Sequence, residues 1–214
     1  MHQIAALLDD ALSGGLGSAV ALSIGDAGVE QERLVRGATQ RLPVPGVLVD
    51  ERVPFDLASL TKPMATAALA MVLAGDAVLD LDAPVRRWLP DAATTATVRQ
   101  LLGHAGGCAA HVEFFRALRT GEHRDPRAEL VALAARHPAG PPGAAALYSD
   151  LGYAMLGAIV ERAAAMPLED AFRLLVAEPL GLGGARYPGA AALPLAVATE
   201  IDDRGLVSGL VHDE

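Results

Sequence analysis

Residues 55–63 read FDLASLTKP and place Ser59 three positions before Lys62. Lys62 is the single lysine among 214 residues, and the arginines that supply the other strong positive charges keep their protons near neutral pH. A lysine ammonium, by contrast, can release a proton when it is desolvated or lies near other cations. The stretch therefore places the one removable side-chain ammonium proton of the chain beside a serine hydroxyl.

The segment after this stretch favours a helix. Residues 64–74 are rich in helix formers and are followed by Gly75, a usual C-terminal residue. Pro63 is tolerated only in a first turn, so the helix should begin near Ser59 and place Ser59 and Lys62 on one face. Ser59 as a simple N-cap is the alternative. A capping box has Glu or Gln at its third position, and the cation of Lys62 opposes the helix dipole, so the pattern favours a catalytic pair.

Composition excludes some function classes. The chain is 52% hydrophobic, which is enough for one domain or two closely packed lobes. Its net charge of -9 argues against a nucleic-acid partner, because binding to nucleic acid requires basic patches on the protein.

Cys108 is the only cysteine, so an internal disulfide is excluded. His104 and His111 lie near it, but no second ligand cluster follows, so a free thiol is favoured over a metal site and no cofactor is implied.

The sequence predicts a soluble, cytoplasmic protein without a membrane span. Its first ten residues, MHQIAALLDD, carry acids and lack the basic region of a signal peptide. The longest uncharged apolar run, residues 63–75, is too short to cross a bilayer.

Hydrophobic periodicity predicts a hairpin followed by a helical region. A short amphipathic helix over residues 4–12 is predicted to precede two strands, 18–24 and 32–36, joined by a loop at 25–28. Further helices are predicted at 97–102, 113–119 and 126–136, before a loop at 138–143 that is rich in proline and glycine.

A second informative segment, LYSDLGYAMLG at residues 147–157, follows that loop. It presents the polar trio Tyr148-Ser149-Asp150 just before a helix of small and apolar residues. A loop that aims polar groups from this position suits the wall of a site. A turn with Asp150 as N-cap explains the trio equally well.

Together these segments resemble the serine β-lactamase and penicillin-binding protein superfamily, in particular the branch of class C-like β-lactamases, D-alanyl-D-alanine peptidases and related esterases. Ser59-x-x-Lys62 is similar to the first motif, and Tyr148-Ser149-Asp150 to the Tyr-x-Asn second motif. LLGHAGG at 101–107 resembles the family's Leu-Leu-x-His-x-Ser-Gly stretch, and EPLGL at 178–182 its Pro-Leu-Gly-Leu turn. The resemblance runs from about residue 15 to the end of the chain.

The resemblance implies an α+β fold of the β-lactamase/transpeptidase type, in which a helical lobe packs on an antiparallel sheet. It implies one domain over residues 1–214. Residues 1–55 would form the N-terminal helix and first hairpin, 56–190 the helical lobe with the motifs, and 191–214 a return segment toward the sheet.

The chemistry implied by the resemblance is acyl transfer to serine. Ser59 would attack the carbonyl of an amide or ester, Lys62 would help to remove its proton, and Tyr148 would act as phenolate or proton shuttle to the leaving group. The helix N-terminus and the Ser59 backbone N–H would favour the developing oxyanion. The substrate would be a small molecule or peptide, such as a β-lactam, a D-amino-acid peptide or a small ester.

Asp150 departs from the family pattern, which has Asn at this position. An ionised carboxylate only accepts hydrogen bonds and would hold Lys62 in its charged form, so we predict an orienting or substrate-binding role for Asp150. In another register, Ser149-Asp150 would start a Ser-Asp-Asn motif, but Leu151 stands where that Asn belongs. The register that begins at Tyr148 is favoured.

A third family motif, Lys-Thr-Gly or His-x-Gly on a strand that closes the site, has no match between residues 151 and 214. His104-Ala105-Gly106 has matching letters but precedes Tyr148, so we interpret it as a loop that packs beneath the site. The sequence therefore predicts that the C-terminal sheet strands are missing and that the chain is a weak or inactive hydrolase. Unpaired sheet edges would favour association with another chain.

Two alternatives stay open. One is a non-catalytic relative that only binds ligands of the penicillin-binding-protein type. The other is an α/β domain with accidental motifs, in which Ser59 and Tyr148 would lie far apart.

Overall fold

A computed structural model of the chain describes residues 2–121, 124–188, 193–202 and 205–210. These residues form two compact units. One combines the chain up to Ala58 with the segment from Tyr187 onward, and the other spans Ser59–Arg186. The single domain that the sequence predicts, with its divisions near residues 55 and 190, stays a prediction.

The first unit contains the predicted N-terminal helix and hairpin. Helix α1 (His2–Ser13) precedes strands β1 (Ala19–Asp26) and β2 (Val29–Gly37), which pair antiparallel. The predicted loop over residues 25–28 is wrong, because β1 continues through an irregularity in pairing at Ile24/Gly25 and leaves a two-residue turn. Both turn residues, Ala27 and Gly28, have positive φ, as turns that match the twist of a hairpin require.

A second two-stranded sheet completes this unit. Strands β3 (Ala198–Asp202) and β4 (Gly205–Ser208) pair antiparallel. The backbone N–H of Ala198 donates to the carbonyl of Thr39 at 2.7 Å, and that of Val197 donates to the carbonyl of Pro54 at 2.9 Å. The segment that leads into β3 is therefore hydrogen-bonded to the chain that follows β2.

The second unit is helical, and the segment that carries Ser59 is irregular. A 3₁₀ turn covers Ala58–Leu60, π-helical bonding covers Lys62–Ala67, and helix α2 covers Ala68–Gly75. The sequence correctly places a helix here but not its type. Pro63 lies at the start of the π-helical part, where its missing N–H is tolerated.

The other α-helices of this unit are α3 (Val98–Leu102), α4 (Phe114–Thr120), α5 (Pro126–Arg136), α6 (Asp150–Ala164) and α7 (Leu168–Phe172). The helices α3 to α6 confirm the predicted order, and α7 is a helix that the sequence did not predict. A 3₁₀ turn at Val85–Arg87 precedes α3, and Arg173–Ala177 continues α7 with π-helical bonding.

Helix α6 lies at the centre of the helical unit, where it contacts α2, α3, α5 and α7. Its side chains Met155, Leu156 and Ile159 are at most 1% exposed, as are Leu69 of α2 and Leu101 of α3. Burial of an aliphatic side chain of this size stabilises a fold by about 1.5–3 kcal/mol. The core therefore holds the first turn of α6, and with it the polar trio, against the segment that carries Lys62.

One helical run among the described residues, Ala58–Gly75, is long and apolar enough to cross a membrane by length and composition alone. It is longer than the apolar segment 63–75 because the 3₁₀ and π-helical turns extend it. Core helices pass the same test, and Leu69, Ala70 and Leu73 of this run are buried. Only 28% of the run is buried in the structure, and the cytoplasmic location stays a prediction.

Candidate active site

The structure places Ser59 and Lys62 in contact. Lys62 Nζ donates to Ser59 Oγ at 3.2 Å, and the Lys62 side chain is only 15% exposed. Ala58, directly before Ser59, has φ of 45°, a left-handed conformation that an alanine seldom adopts. Its backbone N–H donates to Asp56 Oδ1 at 2.8 Å. Backbone strain of this kind is concentrated at functional sites.

The polar trio divides into one structural residue and two residues of the site. Ser149 is 3% exposed and is the N-cap of α6, because its Oγ accepts the backbone N–H of Gly152 at 3.0 Å. The same hydroxyl donates to the carbonyl of Ala109 at 2.6 Å. The alternative in which Asp150 is the N-cap is therefore wrong: Asp150 is the first residue of α6. Ser149 thus has a structural role as the cap, and its two neighbours, Tyr148 and Asp150, both lie next to Lys62.

Asp150 is the ion-pair partner of Lys62. Its Oδ1 lies 2.9 Å from Lys62 Nζ. Burial by itself lowers the pKa of Lys62, but the Asp150 carboxylate, together with Tyr148, raises it above the ordinary value. Burial in turn disfavours the Asp150 carboxylate, but Lys62 and then His111 outweigh this and lower the pKa of Asp150. The pair is therefore held in its charged form, as the sequence predicts for a carboxylate at this position.

Tyr148 lies over Lys62. The ammonium nitrogen is 5.2 Å from the centroid of the Tyr148 ring, within the range of a cation–π contact. Tyr148 is 50% exposed, so its side chain remains accessible to a ligand. The structure thus brings Ser59, Lys62, Tyr148 and Asp150 into one cluster around the Lys62 ammonium. The alternative of accidental motifs, with Ser59 and Tyr148 far apart, is not the arrangement observed.

His104 supports this cluster from below, in agreement with the interpretation of its loop. Its ring centroid lies 4.6 Å from that of Tyr148 and 4.7 Å from that of Tyr153. Its Nδ1 accepts the backbone N–H of Ser149 at 3.1 Å, so a neutral His104 carries its proton on Nε2. Burial, and then the charge of Lys62, lower the pKa of His104. These contacts fix the backbone between Tyr148 and Asp150.

His111 is a residue of the cluster that sequence reasoning missed. Its Nδ1 lies 3.2 Å from Asp150 Oδ2, so the carboxylate joins His111 to Lys62. The sequence suggested His111 only as a possible metal ligand with Cys108. Cys108 is buried, and burial raises the pKa of its thiol. Among the described residues, no group of three or more His, Cys, Asp or Glu side chains is arranged to hold a metal.

Comparison with known proteins identifies the family. The sequence model of the family described as Beta-lactamase matches residues 10–208. The chain belongs to the Beta-lactamase family. The resemblance that the motifs carry is therefore confirmed, and so is the α+β fold class that it implies.

Relatives of this Beta-lactamase family chain include hydrolases and penicillin-binding proteins. Esterase EstB of Burkholderia gladioli is 37% identical over 147 residues, which are 60% of this chain and 37% of the esterase. Penicillin-binding protein 4* of Bacillus subtilis (strain 168) is 29% identical over 136 residues, which are 62% of this chain and 30% of that protein. The matched part of the chain thus spans only about a third of the length of these relatives.

Solved structures give the same picture of the fold. The D-amino acid amidase from Ochrobactrum anthropi SV3 has a TM-score of 0.73 and 25% identity, and the match covers 95% of this chain and 59% of the amidase. The octameric penicillin-binding protein homologue from Pyrococcus abyssi has a TM-score of 0.78 at 21% identity, over 97% of this chain and 50% of that one. Because these matches cover only part of each relative, activity and substrate are proposals for this chain.

Proposed function

We propose that this chain carries the nucleophile of a serine hydrolase that acts on an amide or ester through an acyl-enzyme. The observation that carries the proposal is the 3.2 Å contact of Lys62 Nζ with Ser59 Oγ, made by a lysine that is largely removed from solvent. An activated serine needs a base or cation within hydrogen-bond reach, and this pair has one.

The charges of the cluster suggest how the proton moves. Lys62 is held as an ammonium by Asp150, so in this proposal Tyr148, acting as a phenolate as in the family it resembles, accepts the Ser59 proton; its ring centroid lies 5.2 Å from the ammonium nitrogen. Ser59 Oγ then bonds to the carbonyl carbon while its proton passes to Tyr148 Oη. The bond to the leaving group breaks as Tyr148 returns that proton to it. Water finally cleaves the acyl-serine ester.

The substrate is a small molecule or peptide, of the β-lactam, D-amino-acid peptide or small-ester type. The names esterase, amidase and penicillin-binding protein among the relatives support this range. The third family motif has no match after Tyr148, and loss of one oxyanion donor costs about 2.7–4 kcal/mol of transition-state stabilisation. We therefore expect this chain alone to acylate slowly.

Unpaired strand edges give this chain a second expected property. Each of β1 to β4 has one partner strand among the described strands, and such edges pair readily with other chains. We expect the isolated chain to self-associate in sedimentation velocity experiments.

A ligand-binding relative without catalysis is the second candidate. The raised pKa of Lys62 favours it, because an ammonium paired with a carboxylate cannot accept the proton of a serine. In that case penicillin would bind reversibly and form no covalent product.

Mass spectrometry after incubation with a fluorophosphonate, and separately with penicillin, tests the proposal. We expect an adduct on Ser59 in the parent that is lost in Ser59→Ala and strongly slowed in Lys62→Arg. Ser23→Ala, at an exposed serine of β1, is the matched control and should label like the parent. A folded parent that binds penicillin without forming any adduct would favour the binding-only relative instead.

A further inference from the structure

The carboxylate of Asp150 is shared between two donors on opposite sides. Oδ1 lies 2.9 Å from Lys62 Nζ, and Oδ2 lies 3.2 Å from His111 Nδ1. An ionised carboxylate only accepts hydrogen bonds, so His111 Nδ1 must carry a proton in this contact. A neutral His111 is therefore the Nδ1–H tautomer.

Backbone hydrogen bonds of the residues just before His111 determine where His111 lies, although its ring is exposed. The backbone N–H of Asp150 donates to the carbonyl of Ala110 at 2.8 Å, and Ser149 Oγ donates to the carbonyl of Ala109 at 2.6 Å. Two adjacent residues are thus hydrogen-bonded to two adjacent residues of the loop that leads to His111. Although the His111 side chain is 50% exposed, its Cα is placed beside Asp150 by the fold.

We propose that His111 is a positioning residue that shares the Asp150 carboxylate with Lys62 and thereby weakens the hold of Asp150 on the Lys62 ammonium. The inference rests on the proposed function, in which Lys62 serves Ser59. A hydrogen bond to a carboxylate stabilises its charged form and makes it a weaker acceptor for other donors. With one oxygen engaged by His111, Asp150 offers Lys62 a single acceptor oxygen, as the amide of the family's Asn would.

Other titratable groups around this cluster have identified neighbours. Glu113, whose pKa is also influenced by the charge of His111, forms an ion pair in which its Oε2 lies 2.6 Å from Arg116 Nε. Among the described residues, His104, Tyr148 and Tyr153 also interact with Lys62 or Asp150. His104 Nδ1 accepts the backbone N–H of Ser149, and Tyr153 Oη donates to the carbonyl of Leu102.

The single lysine of the sequence makes a direct test feasible. Protein labelled with ¹⁵N in lysine side chains gives one Nζ signal, that of Lys62, and its pH titration reports the pKa of Lys62 without requiring activity. The variants are His111→Ala, His111→Asn, Asp150→Asn and the double variant His111→Ala/Asp150→Asn. Asn places an amide donor close to the position of the imidazole Nδ1. His137→Ala removes a histidine of the same unit that stacks edge-on with Phe114 and is the matched control.

We expect the Lys62 pKa to rise further in His111→Ala, to return toward the parent value in His111→Asn, and to stay unchanged in His137→Ala. Removal of His111 should have no effect once Asp150 is Asn. A Lys62 pKa that is the same or lower in His111→Ala, or that shifts equally in the Asp150→Asn background, would overturn the inference. Circular dichroism of each variant establishes that it is folded.

The rate of Ser59 adduct formation separates this inference from the proposed function. We expect His111→Ala to slow labelling by about two- to tenfold, the factor expected for one hydrogen bond, and His111→Asn to restore it. If the titration behaves as expected but the parent forms no adduct, the shared carboxylate stands and the hydrolase proposal fails. If the parent labels but the Lys62 pKa does not respond to His111, the hydrolase stands and the inference fails.

Discussion

Ser149→Ala is the substitution that most directly tests how the fold positions the site. The Ser149 hydroxyl is buried and makes two hydrogen bonds, one as the N-cap of α6 and one to the carbonyl of Ala109. Alanine keeps most of the side-chain volume and removes both bonds. The change therefore isolates the hydroxyl from the packing of the core.

The expected cost follows from these two bonds. Loss of an N-cap hydroxyl costs about 1 kcal/mol. An acceptor left without its partner costs about 1–3 kcal/mol, and the part-buried carbonyl of Ala109 belongs at the low end of that range. We expect Ser149→Ala to lower the free energy of unfolding of the helical unit by about 2–3 kcal/mol.

Urea unfolding followed by circular dichroism measures this loss. With a denaturant slope of about 1–3 kcal/mol per molar urea, the midpoint should fall by about 0.7–3 M. Thr95→Ala, at an exposed threonine of the same unit, is the control and should leave the midpoint unchanged. The reasoning is refuted if Ser149→Ala unfolds within about 0.5 kcal/mol of this control, a difference typical of surface substitutions. Because the cap lies between Tyr148 and Asp150, labelling of Ser59 should also slow.

Three other predictions follow from burial, backbone conformation and charge. Leu156→Ala should lower the free energy of unfolding by about 2–5 kcal/mol in the same urea assay, since its side chain is fully buried; a loss below 1 kcal/mol would contradict the assigned core. Gly107→Ala should be strongly destabilising, because φ is 73° and a Cβ would overlap a backbone oxygen, whereas Gly183→Ala has open space around its Cβ and should be neutral; equal midpoints would disprove this. Burial raises the pKa of Asp150, but the paired ammonium of Lys62 outweighs burial, so the pKa is lower in the folded state than in the unfolded state. Ionised Asp150 therefore stabilises the fold at pH values above its unfolded pKa, and this stabilisation is lost as the pH falls through the folded pKa. The stability difference between the parent and Asp150→Asn should therefore shrink on acidification, and a difference that grows would reverse the argument.

Local patterns in the sequence predicted the parts of the site that depend on local physics. Ser59 and Lys62 are three residues apart on one helical segment, so their contact follows from helix geometry. The helix at 126–136 has an Asp before it and a Pro in its first turn, and it is observed with those bounds. These signals act within a few residues, and they need no knowledge of the tertiary fold.

The features that could not be predicted depend on long-range contacts or on near-equal alternatives. His104 and His111 meet Ser149 and Asp150 across 45 and 39 residues, and no pattern in either segment specifies that pairing. Ser149 and Asp150 are both good N-caps, so the sequence alone does not select between them. The choice is made by the carbonyl of Ala109, which accepts the Ser149 hydroxyl and comes from another segment.

The presence of Asp at position 150 changes the roles that Lys62 and Tyr148 have in the proposed mechanism. With the Asp150 carboxylate 2.9 Å away, the Lys62 ammonium is better suited to supply positive charge than to act as a base. In the proposed mechanism, Lys62 then orients Ser59 through its hydrogen bond to Oγ, while Tyr148 transfers the proton. Sharing of the carboxylate with His111 limits how firmly Lys62 is held, so it can still follow the hydroxyl of Ser59. On this reasoning, Tyr148→Phe alone should abolish labelling of Ser59. Adding Asp150→Asn frees Lys62 to act as a base, so the double variant Tyr148→Phe/Asp150→Asn should recover part of the labelling. A double variant that labels no faster than Tyr148→Phe alone would show that Lys62 does not take the proton even when its carboxylate partner is removed.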